Sequence, residues 1–442
     1  MPGSDPAAVR STLTETIAVF LVGGRGTRLG LGDLPKPLVD LDGMPLLERM
    51  VRELAAQGLR RFMFLSGFGA DHIERHFGDG RRFGVSIDHQ CEPRAVGTAG
   101  AFDFVRSQLT APFLVFYGDI LFRIDVARFL AFAQDRGGLG TLYAHPNDHP
   151  FDSDLIDAGQ DGAITRIVAK PHEAASRNLV NAGIYYFDPA ILDYVPHAPD
   201  RVIDWGRDLF PTIPVRGGRL FAYRGTEYVK DVGTLDRIAR GRSDFASGKV
   251  WARCYLERQR AVFLDRDGVL NHEIDGVLRP DQLQMLPGAA EAVARLNDSP
   301  YLALGATNQP ALAKGFMTPA DLHDVHVALD ANLAASGAFL DDIYVCPHHP
   351  EAGWPGEVPT LKIDCDCRKP APGLLLQAAQ MHNIDLAQSW MIGDHVRDIA
   401  AGRSAGARSL GVGPGPFDAD TPTFENLARA IDFIMSKANP PC

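Results

Sequence analysis

Three times in this chain a short apolar run ends abruptly in an aspartate. Phe113-Leu114-Val115-Phe116-Tyr117-Gly118 leads into Asp119, Ala261-Val262-Phe263-Leu264 into Asp265, and Trp390-Met391-Ile392-Gly393 into Asp394. Such runs read as buried strands of a largely parallel sheet. A carboxylate directly after one stands at the carboxyl edge, where open α/β sheets place their ligands. Asp267 follows Asp265 by two residues and leans to the same side, and Gly268 lets the backbone turn away. Two carboxylates so placed suit phosphoryl transfer to Asp265, with Asp267 as acid and base. A lone D-x-D is more often a solvated acidic turn, so the decision rests on the residues downstream.

The length of 442 residues allows two large domains or three smaller ones, and 45% hydrophobic content is ample for two cores. Fifty-five acidic against 44 basic residues give a net charge of −11, which disfavours nucleic acid or an anionic membrane as partner. No apolar run approaches the roughly 18 residues of a membrane span. Residues 1–16 read as a loose leader without the basic and apolar regions of a signal peptide. Of the six cysteines, Cys346, Cys365 and Cys367 cluster near histidines, a metal-binding pattern of a reducing compartment. The expected location is the cytoplasm.

In the first half, the apolar run 17–22 enters Gly23-Gly24-Arg25-Gly26-Thr27-Arg28-Leu29. Glycines after a strand let backbone N–H groups surround phosphate oxygens. The spacing fits neither G-x-G-x-x-G nor a Walker loop. Pro35 and Pro37 restrict the loop that carries Lys36, a cation fit to offset charge on departing pyrophosphate. The joint pattern G-G-x-G-T-R-L…P-K-P-L resembles the sugar-1-phosphate nucleotidyltransferases, and further matches follow in family order over about residues 17–245. The resemblance implies that Gly23, Gly24, Gly26 and Thr27 line the nucleotide phosphates, while Glu92, Gly97 and Thr98 lie against the base. It implies that Lys170, Asn181 and Gly183 meet the sugar phosphate, and that Asp119 and Asp231 hold Mg²⁺. Sugar phosphate and nucleoside triphosphate are both anions, so Arg28, Lys36, Lys170 and the metal must offset repulsion of about 4 kcal/mol per close charge pair.

Residues 234–247 predict a closing helix, and 248–259 read as a short polar connector. Beyond it, Asp265-Arg266-Asp267-Gly268-Val269-Leu270-Asn271, the strand ending at Thr307-Asn308, Arg368-Lys369-Pro370 and Gly393-Asp394 with Asp398 one helical turn on resemble the haloacid dehalogenase-like phosphatases. That resemblance implies Thr307, Asn308 and Lys369 on the phosphoryl group and Arg368 on substrate. It also implies Mg²⁺ held by Asp265, Asp394 and the backbone carbonyl of Asp267, with Asp398 in support. Cys346, His348, Cys365 and Cys367 form two close pairs suited to a structural tetrahedral Zn²⁺, with His349 as the alternative ligand. This element resembles the loop of the heptose bisphosphate and histidinol phosphatases.

The expected fold is α/β, with two Rossmann-like three-layer domains. Residues 17–247 form a nucleotidyltransferase domain on a mixed sheet, and 260–415 a phosphatase domain on a parallel sheet with little or no cap. Residues 416–442 would be a C-terminal helix and tail. The resemblances imply removal of the 7-phosphate from D-glycero-D-manno-heptose 1,7-bisphosphate, then coupling of heptose 1-phosphate to GTP with release of pyrophosphate. GTP and sugar phosphates are the expected small-molecule partners, and a homo-oligomer stays open. The alternatives are a hexose-1-phosphate nucleotidyltransferase fused to a histidinol-phosphate-type phosphatase, or one half that only senses a nucleotide sugar.

Overall fold

A computed structural model describes residues 12–24, 34–171, 176–198 and 200–438. The chain divides into two compact units, one built from 1–145 and 151–246, the other chiefly from 247–442. Among the described residues no helix is long and apolar enough to cross a membrane.

The first unit is built on a mixed sheet. Its strands lie in the order Leu220–Arg224, Gly140–His145, Val180–Phe187, Phe113–Tyr117, Ile17–Leu21, Arg61–Ser66 and Ser86–Cys91, with Leu155–Ala158 attached to Val180–Phe187 and Ile164–Val168 to Leu155–Ala158. Strands 17–21, 61–66, 86–91 and 113–117 run parallel, whereas 180–187 is antiparallel to both neighbours. Side chains alternate across the sheet. Val19, Met63 and Val115 join one buried cluster, while Phe20 stacks on Phe62 and Phe116 on the opposite face.

A separate two-stranded ribbon matters most for function. Ile120–Arg123 pairs antiparallel with Tyr228–Asp231, so that Asp231 lies opposite Ile120. The Val232 amide donates to the carbonyl of Asp119 at 2.9 Å. Two aspartates distant in sequence are thereby clipped together at one end of the ribbon.

The second unit has a wholly parallel sheet, in the order Asp342–Cys346, Tyr301–Asn308, Arg260–Leu264, Trp390–Gly393, Arg408–Val412 and Thr423–Phe424. Val262 and Leu264 face a core shared with helices Ala289–Asn297, Pro319–Ala334 and Leu427–Ala438. Ala261 and Phe263 face the other way, onto Leu374, Leu375 and Ala378 of helix Gly373–His382. Three layers result, as expected. Between Gly268 and Ala289 the only helical element is the short turn Pro280–Gln282, so no cap domain is inserted there.

The expected polar connector turns out to be packed. Arg253 is 4% exposed and its guanidinium pairs with buried Asp341, whose other oxygen accepts the Ala303 amide at 2.7 Å. Tyr255 and Tyr344 hydroxyls flank the two ring nitrogens of His382 at 3.1 and 2.8 Å. Charged residues spaced along a short segment looked solvent-facing. The buried counter-charge that draws Arg253 inward lies 88 positions away.

Candidate functional site

Strand register builds the first candidate site. Leu264 pairs with Gly305 on one side and Ile392 on the other, so the residues after each strand emerge along one edge. There Lys369 Nζ lies 2.8 Å from Asp265 Oδ2 and 2.7 Å from Asp398 Oδ1. Asp265, Asp394 and Asp398 each offer a carboxylate oxygen within 4.8 Å of the others. Asp394 Oδ1 is buried and accepts no hydrogen bond. Hard oxygen donors with one oxygen left over fit Mg²⁺. Gly268 has φ +79°, and a Cβ there would run into the Asp394 carboxylate, so only glycine closes this turn.

Burial raises Asp265 to about 6, Lys369 works against that rise, and Asp398 adds to it. Burial likewise raises Asp394, with Asp265 adding repulsion. For Lys369 burial alone would lower the ammonium, but the two facing aspartates outweigh it and the net shift is upward.

Asp267 is aimed by three neighbours that motif reading had not assigned. Arg266, itself fully buried, donates to its carboxylate at 2.9–3.1 Å. Asn271 Nδ2 donates to Oδ1 and Gln309 Nε2 to Oδ2, both at 2.9 Å. Gln309 Nε2 also donates to Thr307 Oγ1 at 2.9 Å, fixing that hydroxyl. Asn308 has a second partner. Its amide oxygen accepts from the Lys369 backbone N–H and its Nδ2 donates one hydrogen to the Lys369 carbonyl, both at 3.0 Å, so it anchors the lysine loop. Arg368 Nη1 donates to the His348 carbonyl at 3.3 Å.

That carbonyl belongs to the cysteine–histidine cluster. Cys367 Sγ lies 3.1 Å from Cys346 Sγ, 3.3 Å from Cys365 Sγ and 3.2 Å from His348 Nδ1, while Cys346 Sγ lies 3.7 Å from Cys365 Sγ and 3.8 Å from His348 Nδ1. Ligands of tetrahedral zinc sit roughly 3.5–3.8 Å apart, given bonds of about 2.0 Å to nitrogen and 2.3 Å to sulfur. The four atoms fit that figure to within a few tenths of an ångström. His348 is the residue facing the thiols. His349 turns its ring onto Trp354, centroids 5.1 Å apart.

In the other unit, Lys36 Nζ lies 2.5 Å from Asp119 Oδ2 and 4.0 Å from Asp231 Oδ1. An ammonium held between two carboxylates marks a position that a divalent cation would also satisfy. Asp231 is further bound by the Gly233 amide at 2.5 Å and by Arg237 Nη1 at 2.6 Å. Gly97, at φ +86°, brings the backbone against Ile203, and the Ala99 amide donates to the Ile203 carbonyl at 2.9 Å. Thr98 gives its amide and hydroxyl to Asp204 and accepts the Trp205 amide, so its side chain holds the loop together.

Glu92 Oε1 would be 3.3 Å from a Cβ on Gly23. Burial pushes its carboxyl up to about 7, against a backbone hydrogen bond from Val96. Asn181 Oδ1 accepts the Gly183 amide, and Asn181 Nδ2 donates to Tyr185. Lys170 Nζ donates to the Asp152 carbonyl at 2.7 Å. Gly24 is exposed. Gly26, Thr27 and Arg28 lie outside the described residues.

Comparison with known proteins assigns each part of the chain to a family. The Nucleotidyl transferase family matches residues 17–247, more than half of the chain, and a HAD-hydrolase-like family matches 366–435. D-glycero-beta-D-manno-heptose-1,7-bisphosphate 7-phosphatase of Pasteurella multocida is 44% identical over 147 residues, covering 33% of this chain and 77% of its own. D-glycero-D-manno-heptose-1,7-bisphosphate 7-phosphatase of Thermosynechococcus vestitus is 39% identical over 194 residues, covering 41% of this chain and 97% of its own. The crystal structure of HddC from Yersinia pseudotuberculosis overlaps 52% of this chain and 99% of its own, at 26% identity and a TM-score of 0.46. With its first half matched by one family and its second by another, this chain belongs to the nucleotidyl transferases and carries, in the same polypeptide, a phosphatase domain of the HAD-like hydrolases.

Proposed function

We propose that the chain is a bifunctional enzyme of heptose nucleotide synthesis. Its C-terminal half removes the 7-phosphate of D-glycero-D-manno-heptose 1,7-bisphosphate, and its N-terminal half transfers GMP from GTP to heptose 1-phosphate, giving GDP-heptose and pyrophosphate. The observation that carries the reading is the Asp265–Lys369–Asp398 cluster beside a complete zinc tetrad, in a domain whose relatives are named for that phosphatase reaction.

The residues divide the chemistry plainly. Asp265 attacks the phosphorus as nucleophile, and Asp267, aimed by Arg266, Asn271 and Gln309, gives a proton to the departing sugar oxygen. The same Asp267 then takes a proton from the water that cleaves the phosphoaspartate. Lys369 holds Asp265 in place and offsets charge on the phosphoryl oxygens. Mg²⁺, held by Asp265 and Asp394, would supply further charge neutralisation there. Zinc at Cys346, His348, Cys365 and Cys367 would order the loop whose His348 carbonyl positions Arg368.

In the transferase half, a phosphate oxygen of the sugar phosphate displaces pyrophosphate from the α-phosphorus in line, and no protein nucleophile takes part. Lys36 would neutralise the departing charge, Glu92 would lie against the base, and Asp119 with Asp231 would hold Mg²⁺, which would supply screening of the reacting anions. A panel of sugar phosphates crossed with the four common nucleoside triphosphates, scored separately for phosphate and pyrophosphate, tests the assignment. Heptose substrates and GTP should lead both readouts. Faster turnover of hexose 1-phosphates, or of histidinol phosphate, would replace the heptose reading.

A further inference from the structure

Lys170 and Asp231 were both expected to serve the transferase reaction, yet in the structure a pair of unassigned residues joins them. Arg237 lies in the first turn of helix Leu235–Ala246, its amide donating to Thr234 Oγ1 at 3.3 Å. One prong of its guanidinium, Nη1, reaches Asp231 Oδ2 at 2.6 Å, and the other, Nη2, reaches Asp152 Oδ2 at 3.0 Å. Asp152, on the short turn Pro150–Asp152, takes Lys170 on its other side, with Nζ 3.4 Å from Oδ1 and 2.7 Å from its own carbonyl. A single carboxylate thus carries a different cation at each oxygen.

That is the arrangement a phosphate would want. Planar guanidinium and flexible ammonium together match the spread oxygens of a phosphate monoester, whose charge of nearly −2 would hold both cations more strongly than a carboxylate does. The second prong of Arg237 fixes where that phosphate would stand, next to the Asp119–Asp231 position and hence beside the triphosphate it must attack. Asp152 is half exposed on a three-residue turn, so it can leave without disturbing the sheet.

We infer that Arg237 and Lys170 together cradle the phosphate of the incoming sugar 1-phosphate, and that Asp152 occupies the cradle until substrate arrives. The inference rests on the transferase reading given above and names two residues that it left without a role. Arg237 binds substrate directly, whereas Asp152 competes with it.

Pyrophosphate release by the full-length protein tests this, using whichever sugar 1-phosphate the wild type turns over, at saturating Mg²⁺. Arg237→Gln should raise KM for the sugar phosphate at least tenfold while KM for the nucleoside triphosphate stays within twofold, and Arg237→Lys should recover part of the loss. Asp152→Asn should lower KM for the sugar phosphate. An unchanged sugar-phosphate KM in Arg237→Gln, or equal rises for both substrates, overturns the cradle alone. So does a raised KM in Asp152→Asn. Absence of turnover with every sugar 1-phosphate removes the transferase reading and the cradle with it.

Discussion

The ammonium of Lys369 stands 2.8 Å from the carboxylate of Asp265, and neither side chain is more than 4% exposed. With Asp265 raised to about 6 mainly by burial, the nucleophile is protonated and inert in acid and becomes reactive as pH climbs through that value. At limiting Mg²⁺, phosphate release should therefore increase from pH 5 to 7, and saturating Mg²⁺ should move the rising limb to lower pH. The folding linkage has the opposite sign. A carboxyl raised in the folded state withdraws stability as pH rises from about 3.8 to about 6, so the metal-free phosphatase domain should melt lower at pH 6.5 than at pH 4.5. Asp265→Asn should remove phosphate release and weaken the pH dependence of melting, with the part that Asp394 contributes remaining.

Independence of the two chemistries is checked by complementary variants. Lys36→Ala should cut pyrophosphate formation by about 10²–10³-fold, the range for losing one well-placed charge stabiliser, and leave phosphate release unchanged. Asp265→Asn should do the reverse. Equal loss of both activities in either variant would show that the sites do not operate separately.

The four-ligand cluster predicts about one zinc per chain by elemental analysis. Cys365→Ser, or a zinc-selective chelator applied in excess Mg²⁺, should lower the melting temperature of the phosphatase domain and its turnover, because bound metal contributes directly to folding. Pyrophosphate release should be spared. His349→Ala should keep the zinc, and His348→Ala should lose it.

Glu92 offers a second pH signature, raised by burial to about 7. Below that pH its carboxyl is protonated, and above it both oxygens accept hydrogen bonds. A base that presents N–H donors to Glu92 should bind more tightly as pH rises, on the order of tenfold between pH 6 and 8. Calorimetric titration with GTP measures this, and Glu92→Gln should flatten the dependence.

The Arg253–Asp341 pair is buried on both sides. Arg253→Met leaves an unpaired internal carboxylate and should cost about 3–5 kcal/mol, read as a lower denaturant midpoint for the C-terminal transition. Adding Asp341→Leu should recover only part of that, because Asp341 also caps the Ala303 amide.

What the bare sequence revealed depended on whether a contact was local. Runs ending in aspartate announced buried strands, and the edge that gathers Asp265, Thr307 and Asp394 followed from parallel order alone. Paired cysteines announced a tetrad. By contrast, nothing in the sequence announces that Asn308 also holds the Lys369 backbone, 61 positions away. Arg266 was passed over since charged residues are seldom fully buried, and nothing nearby in sequence announces that Asn271 and Gln309 converge with it on Asp267. Arg237 and Asp152 were invisible for a related reason. They meet across 85 positions, and no spacing rule reports an ion pair between a turn and the start of a distant helix.

The ribbon pairing 120–123 with 228–231 has an evolutionary corollary. It works as the neck of a purse: the chain between its two arms leaves and returns at one mouth, where the aspartates sit. Loops inside, including the turn bearing Asp152 and the segment bearing Lys170, are free to lengthen or be exchanged while Asp119 and Asp231 stay clasped, whereas strand Val180–Phe187 with Asn181 is held in the sheet. Preference for one sugar over another can drift in such an enclosure without the chemistry ever being put at risk.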